Sequence, residues 1–283
     1  MKTGKMILGI ILSFLVMVVA QGFACLFGNL VVLMQMPIFI GNIVAGTLYI
    51  IYAYLLLLLL CRKILKGDMS DYNIPSFKIG QKWWIVALLL PLLVTVFYIL
   101  IVPGSFQQND LELNQKLEIL STGIFFTGFG AGIVEEMVFR GVMMSTIEKR
   151  FNKKIAIIAP SLLFGFIHVL GMGFNLLSCT LVVVAGTMVG IMFSLIASET
   201  GSIWNSAIVH AFWNIIIIGG ILWTGIEVDE NSLYSYVLDT KSFLLTGGEF
   251  GIESSIIAVV GYGLVCLLVV LGGKKRMNLG KVE

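Results

Sequence analysis

Residues 6–61 read MILGIILSFLVMVVAQGFACLFGNLVVLMQMPIFIGNIVAGTLYIIYAYLLLLLLC and contain no lysine, arginine, aspartate or glutamate. A hydrocarbon core about 30 Å thick is crossed by about 20 apolar residues rising 1.5 Å each. The run is therefore too long for one crossing, and Pro37-Ile38 with Gly41-Asn42 is the natural place for it to turn. The rest of the chain has the same character. Of its 283 residues, 58% are hydrophobic and 12% charged, and the mean hydropathy is +1.01. A soluble domain would carry about a quarter charged residues. The composition predicts an all-α, polytopic membrane protein. Its polar connections are too short to hold a separate soluble domain, so residues 1–283 are read as a single integral membrane domain.

Eight apolar stretches are long enough to cross, near 6–28, 39–61, 83–103, 119–148, 155–172, 176–198, 203–223 and 252–273. The fourth exceeds what a bilayer needs and is expected to project into water. Fifteen of the eighteen basic residues fall on one side of this arrangement. They are Lys2 and Lys5; Arg62, Lys63, Lys66, Lys78 and Lys82; Lys149, Arg150, Lys153 and Lys154; and Lys274, Lys275, Arg276 and Lys281. Lys116 and Lys241 fall on the other side, and Arg140 falls within a span. The positive-inside rule then places both termini in the cytoplasm. The loop between the sixth and seventh spans has no basic residue and is assigned by counting alone. A cleavable signal peptide over residues 1–24 is the rival reading of the first stretch. The apolar run continues past any cleavage site, which favours an uncleaved first helix.

Cys25, Cys61, Cys179 and Cys266 are scattered through apolar stretches without metal-ligand spacing, and read as small buried hydrophobes. The basic clusters are short and lie beside spans, which fits orientation and contact with anionic lipid, not nucleic acid. The lipid bilayer is the first partner the sequence names.

Both histidines of the chain lie in spans: His168 in Phe164-Gly165-Phe166-Ile167-His168 and His210 in His210-Ala211-Phe212-Trp213-Asn214. The fourth span carries Glu135 and Glu136, with Arg140 close behind. Ionisable groups are costly in hydrocarbon, and such a cluster marks a functional site. On a helix, residues four apart share a face, which sets Glu136 beside Arg140, Phe164 beneath His168 and His210 beside Asn214. Glu135 points about 100° away from Glu136, so one carboxylate is free to face a cavity while the other pairs with Arg140. Depth agrees. Glu135 precedes Lys149 by 14 residues and His168 follows Lys154 by 14, so each lies about 21 Å from the basic loop. Gly128, Gly130 and Gly132, and the Gly186-x-x-x-Gly190 pair, allow helices to approach closely.

Each residue also has a structural reading. Glu136 with Arg140 reads more readily as a buried ion pair fixing helix register than as a catalytic pair. His168 or His210 alone would be an interhelical hydrogen-bonding residue, and Asn214 alone a polar contact between helices. Phe164, Trp204 and Trp213 read as packing residues, with Phe164 a candidate wall of the cavity. Joint occurrence in three spans is what points to acid–base chemistry.

These residues resemble a known family. Glu135-Glu136-Met137-Val138-Phe139-Arg140 looks like its Glu-Glu-x-x-x-Arg motif, Phe164 through His168 its Phe-x-x-x-His motif, and His210 through Asn214 its His-x-x-x-Asn motif. Together they are similar to the CAAX prenyl-endopeptidase and bacteriocin-processing (CPBP, Abi) family of intramembrane proteases, over about residues 120–220. The resemblance implies eight helices around a catalytic cavity that opens toward the cytoplasmic side. It implies Glu135 as general base assisted by His168, His210 and Asn214 as oxyanion donors, and Glu136, Arg140 and Phe164 as support. The expected partner is a membrane-associated peptide or protein substrate. Small size without extra domains points to a bacterial plasma-membrane enzyme.

Peptide hydrolysis needs a base within reach of a water and donors aimed at the oxyanion. No serine or cysteine stands beside the histidines in a nucleophile motif, so water is the expected attacking group and no cofactor is required. The alternative is zinc held by Glu135, His168 and His210, a carboxylate and two imidazoles, although His-Glu-x-x-His is absent. Two other classes stay open. One is a non-proteolytic membrane regulatory or bacteriocin-immunity protein. The other is a proton-coupled transporter, against which stands the absence of repeats and broken helices.

Overall fold

Every expected span coincides with a helix in the computed structural model, which describes residues 1–170, 172–173 and 175–279. In chain order these are α1 (Thr3–Leu33), α2 (Ile38–Leu65), α3 (Gln81–Ile101), α4 (Leu113–Glu148), α5 (Lys153–Ile167), α6 (Leu176–Thr200), α7 (Ile203–Ile218) and α8 (Ile256–Leu279). Six are long and apolar enough to cross a membrane; α5 and α7 are too short. Of the two short helices, α7 carries His210 and α5 ends on His168 as its cap. Gly171, in the expected fifth span, and Lys281, in the last basic cluster, lie outside the described residues.

Local chemistry sets the ends of these helices. α1 stops at a turn in which Gln35 has φ 65°, and α2 begins just after Pro37, where the sequence asks for a reversal. The side chains of Asn152, Asn175 and Ser202 accept hydrogen bonds from the first free N–H groups of α5, α6 and α7. α6 ends on Gly201, whose φ of 64° suits a residue without Cβ. α7 ends before Gly219-Gly220, so the expected seventh span stops short of 223 and its last residues enter a strand.

That strand belongs to a small sheet absent from the all-α expectation: β1 (Gly104–Gln108), β2 (Leu222–Gly225) and β3 (Tyr234–Leu238), in the order β1-β3-β2. β1 pairs with β3 antiparallel, with Gly104 opposite Leu238, and β2 pairs with β3 parallel. The sheet satisfies the backbone of loops at one end of the bundle. After it, three short helical turns (Phe243–Thr246, Gly248–Phe250 and Ile252–Ser254) lead into α8.

The basic loops gather at the opposite end. The Met1 ammonium donates to the Lys149 carbonyl (3.1 Å), and the Lys149 ammonium lies 3.7 Å from the Tyr72 ring centroid. Ile203 N donates to the Asn73 carbonyl (2.9 Å), the Trp204 indole to that of Pro75 (2.7 Å), and Lys82 pairs with Glu199 (3.1 Å). These contacts put the uncharged α6–α7 turn beside the basic loops, the side that counting gave it.

In lipid the apolar surface of a helix gains little by meeting another helix, so close packing carries the association. α4 packs against α2 and α7, α5 against α6, and α6 against α7 and α8. Glycines make the decisive approaches: a Cβ on Gly132 would stand 2.9 Å from the Ala211 backbone, and one on Gly186 2.7 Å from Gly165 Cα.

Candidate active site

Glu135 and Glu136 sit on a short α-helical stretch, Gly132–Glu136, inside α4, flanked by wider π-helical turns at Thr122–Ala131 and Met137–Met143. π-turns inside α-helices are frequent at functional sites. Glu136 and Arg140 are both fully buried, and the Arg140 guanidinium donates to Glu136 Oε1 at 2.7 Å. The same guanidinium donates to the Gly190 carbonyl at 3.2 Å and lies 4.5 Å from the Phe164 ring centroid. Gly190 has no Cβ to occupy this space; one would stand 3.2 Å from the Arg140 nitrogen and 2.9 Å from Ser161.

Glu136 has a second partner that the sequence reading missed. His210 Nδ1 stands 3.2 Å from the same Oε1, and His210 Nε2 stands 3.8 Å from Glu135 Oε2. The imidazole thus lies between the two glutamates, within hydrogen-bond distance of Glu136. Its face is covered by Phe193, stacked at 4.6 Å between ring centroids with 19° between planes. The expected register pair is therefore also the holder of His210. Nothing in the sequence marks Phe193, which stands in an ordinary apolar helix.

His168 caps α5, and its Nδ1 lies 2.6 Å from the Phe164 carbonyl. A carbonyl only accepts, so Nδ1 carries the hydrogen and Nε2 of the neutral ring is left as an acceptor. Phe164 is buried, 4.5 Å from the His168 ring and 5.9 Å from that of His210. Asn214 Nδ2 donates to the Thr127 carbonyl at 2.9 Å, which leaves its second amide hydrogen unassigned.

Glu135, His168, His210 and Asn214 line one cavity of about 350 Å³, with Phe164, Phe193 and Trp213 among its walls. Among the described residues, no three His, Cys, Asp or Glu side chains stand close enough to share a metal ion.

The cavity's position departs from expectation. Its lining comes from the ends of α5 and α7 far from the basic loops, from the first half of α8, and from Phe250, Glu253 and Ser254 of the turns after the sheet. The residues of the basic loops and of the α6–α7 turn take no part. The implied opening toward the basic side is corrected: the cavity lies in the half of the bundle toward the sheet. The reason is local. On the basic side of His210, the fully buried Met137, Phe139, Val142 and Met143 fill the interior.

Fold and site together define a polytopic helical membrane protein with a carboxylate–imidazole cavity among its helices. Residues 118–216 match the family model described as Type II CAAX prenyl endopeptidase Rce1-like. The matched segment contains all seven motif residues. No curated protein and no solved structure matches the chain.

Proposed function

We propose that this protein is an intramembrane endopeptidase in which Glu135 and His168 activate a water and His210 and Asn214 stabilise the tetrahedral intermediate. The observation that carries this reading is the convergence of those four side chains on one cavity, within a segment of an endopeptidase family.

The chemistry follows from the geometry. Glu135 is partly exposed to the cavity, unlike Glu136, and is the carboxylate able to take a proton from water. His168 Nε2 accepts a second hydrogen bond from the same water. For His210 Nε2 to donate to an oxyanion, the ring must carry both hydrogens, and Glu136 and Glu135 supply the countercharge on either side. Asn214 contributes its remaining N–H. Such preorganised donors are worth about 2.7–4 kcal/mol apiece in a water-poor site. Glu136 and Arg140 support the reaction by fixing His210.

The substrate is a membrane-associated peptide or protein. The cavity's place near the sheet favours a scissile bond presented from that end of the bundle. Thr127 and Ile218 also line an open depression with Glu118, Asp229 and Glu230, which gives a polar route to the site.

The test compares membranes bearing the wild-type chain with membranes bearing Glu135→Gln. A peptide whose processing depends on Glu135 identifies the substrate, and the purified variant should lose at least about 10²–10⁴ in rate while staying folded. Activity should persist through exhaustive chelation. Near-normal turnover of Glu135→Gln, or chelator inhibition reversed by zinc, would overturn the mechanism.

A further inference from the structure

A second carboxylate enters the cavity from outside the matched segment. Glu253 stands in the Ile252–Ser254 turn, ahead of the last span, and lines the cavity with Glu135, His168 and Asn214. The turn is tightly fixed. Ser254 Oγ donates to the Gly247 and Gly251 carbonyls at 2.6 and 3.1 Å, and Tyr262 Oη donates to the Glu253 carbonyl at 3.0 Å. Ser255 caps α8 through the Ala258 N–H at 3.2 Å. Gly251, with φ 93°, supplies the left-handed backbone that turns the chain inward. The acid side chain on this fixed turn is half-buried and has the Trp213 indole as a hydrogen-bond partner. No basic side chain pairs with it among the described residues.

On the peptidase reading above, we infer that Glu253 is the general acid that protonates the leaving amine. The reaction then uses two carboxyl groups in opposite states. Glu135 takes a proton from water as the hydroxide adds to the carbonyl carbon. As the C–N bond breaks, Glu253 gives its proton to the amine nitrogen and becomes a carboxylate. After the products leave, the proton on Glu135 passes through cavity water to Glu253, and both groups are restored. The net change is one water consumed, one acid and one amine formed.

The surroundings suit this division. Burial, and the negative charge of Glu135 nearby, push the Glu253 carboxyl up to about 8, so it carries its proton at neutral pH. The other titratable groups around it are His168 and His210 across the cavity, Tyr262 on α8 and Tyr98 on α3 behind it. Pairs of carboxyls whose environments drive them apart are the usual form of acid–base assignment.

The test turns on the leaving group. An amine must be protonated to depart, whereas an aryl oxide departs as the anion. The probes are an internally quenched prenylated CAAX peptide and an aryl ester of the same acyl segment. Glu253→Gln should lower peptide cleavage by about 100-fold or more and leave aryl-ester hydrolysis within about tenfold of wild type. Glu253→Asp should recover part of the peptide activity. The wild-type protein gives a second readout that needs no variant to fold. Its peptide cleavage should fall as pH rises through about 8, while its ester hydrolysis does not follow. Damage to the oxyanion donors would depress both substrates, because both form the oxyanion. Equal loss on the two probes, or no loss in Glu253→Gln, would overturn the assignment to Glu253. Absence of any Glu135-dependent hydrolysis would overturn the peptidase reading itself, and this inference with it.

Discussion

In the proposed mechanism, the division of labour between adjacent glutamates follows from which of them faces the cavity. Glu136 is fully buried against Arg140 and His210, while Glu135 keeps partial exposure. Removing Arg140 leaves a buried carboxylate without its cation, which typically costs about 3–5 kcal/mol. Arg140→Ala should therefore lower yield and melting temperature, measured in detergent, as well as activity. A melting temperature equal to wild type in Arg140→Ala would sink this account of the pair. Sequence spacing was enough to predict the Glu136–Arg140 contact, because residues four apart on one helix must meet. It could not reveal the His210–Glu136 contact, which joins helices 74 residues apart. Glu253 escaped notice for a different reason. It lies in Gly251-Ile252-Glu253-Ser254, at the edge of an apolar run and outside every recognisable motif. The expected last span began at 252, so a carboxylate just inside it was the available signal.

The helices were legible because a charge-free run has only one stable destination. Close approach was legible where small residues recur, and Gly186 does pack closely, against Gly165, a partner the spacing alone did not name. Gly186→Leu should force α5 from α6 and shift Phe164 and His168. It should destabilise the protein by about 1–3 kcal/mol, as overpacking does, and reduce activity beyond that loss. Gly263→Leu is the control, since a Cβ there would meet nothing within 4 Å. Equal thermal shifts for the two variants would remove the packing explanation. The sheet was not legible. Gly104-Ser105-Phe106-Gln107-Gln108 lacks alternation of apolar residues, and its partner β3 lies more than a hundred residues away. Nothing local signals such a pairing. The break at Gly219-Gly220 was visible in the sequence, but an apolar run that continues through it conceals the strand beyond.

At the scale of the whole molecule, charge fixes direction. The basic loops meet at one end, and the sheet with Asp229 and Glu230 occupies the other. With Cys25, Cys61, Cys179 and Cys266 replaced, a cysteine at Asp229 should react with an impermeant label in intact cells, and one at Lys78 should not. The reverse pattern would invert the molecule, and with it the side from which substrate arrives. The position of the cavity was the part of this picture hardest to foresee. Residue counts along α4 and α5 gave Glu135 and His168 the same depth, but depth alone does not tell which end of the bundle is plugged by side chains.

The shortness of α5 reaches beyond the protein. With 15 residues it rises about 22 Å, yet Ile155, Ile158, Leu162 and Phe166 are exposed along one of its faces, the face turned to lipid. Hydrophobic mismatch with a short helix is relieved by local thinning of the bilayer, by snorkelling of flanking side chains or by association with another helix. Thinning of this kind beside α5 would bring the polar boundary of the bilayer closer to His168.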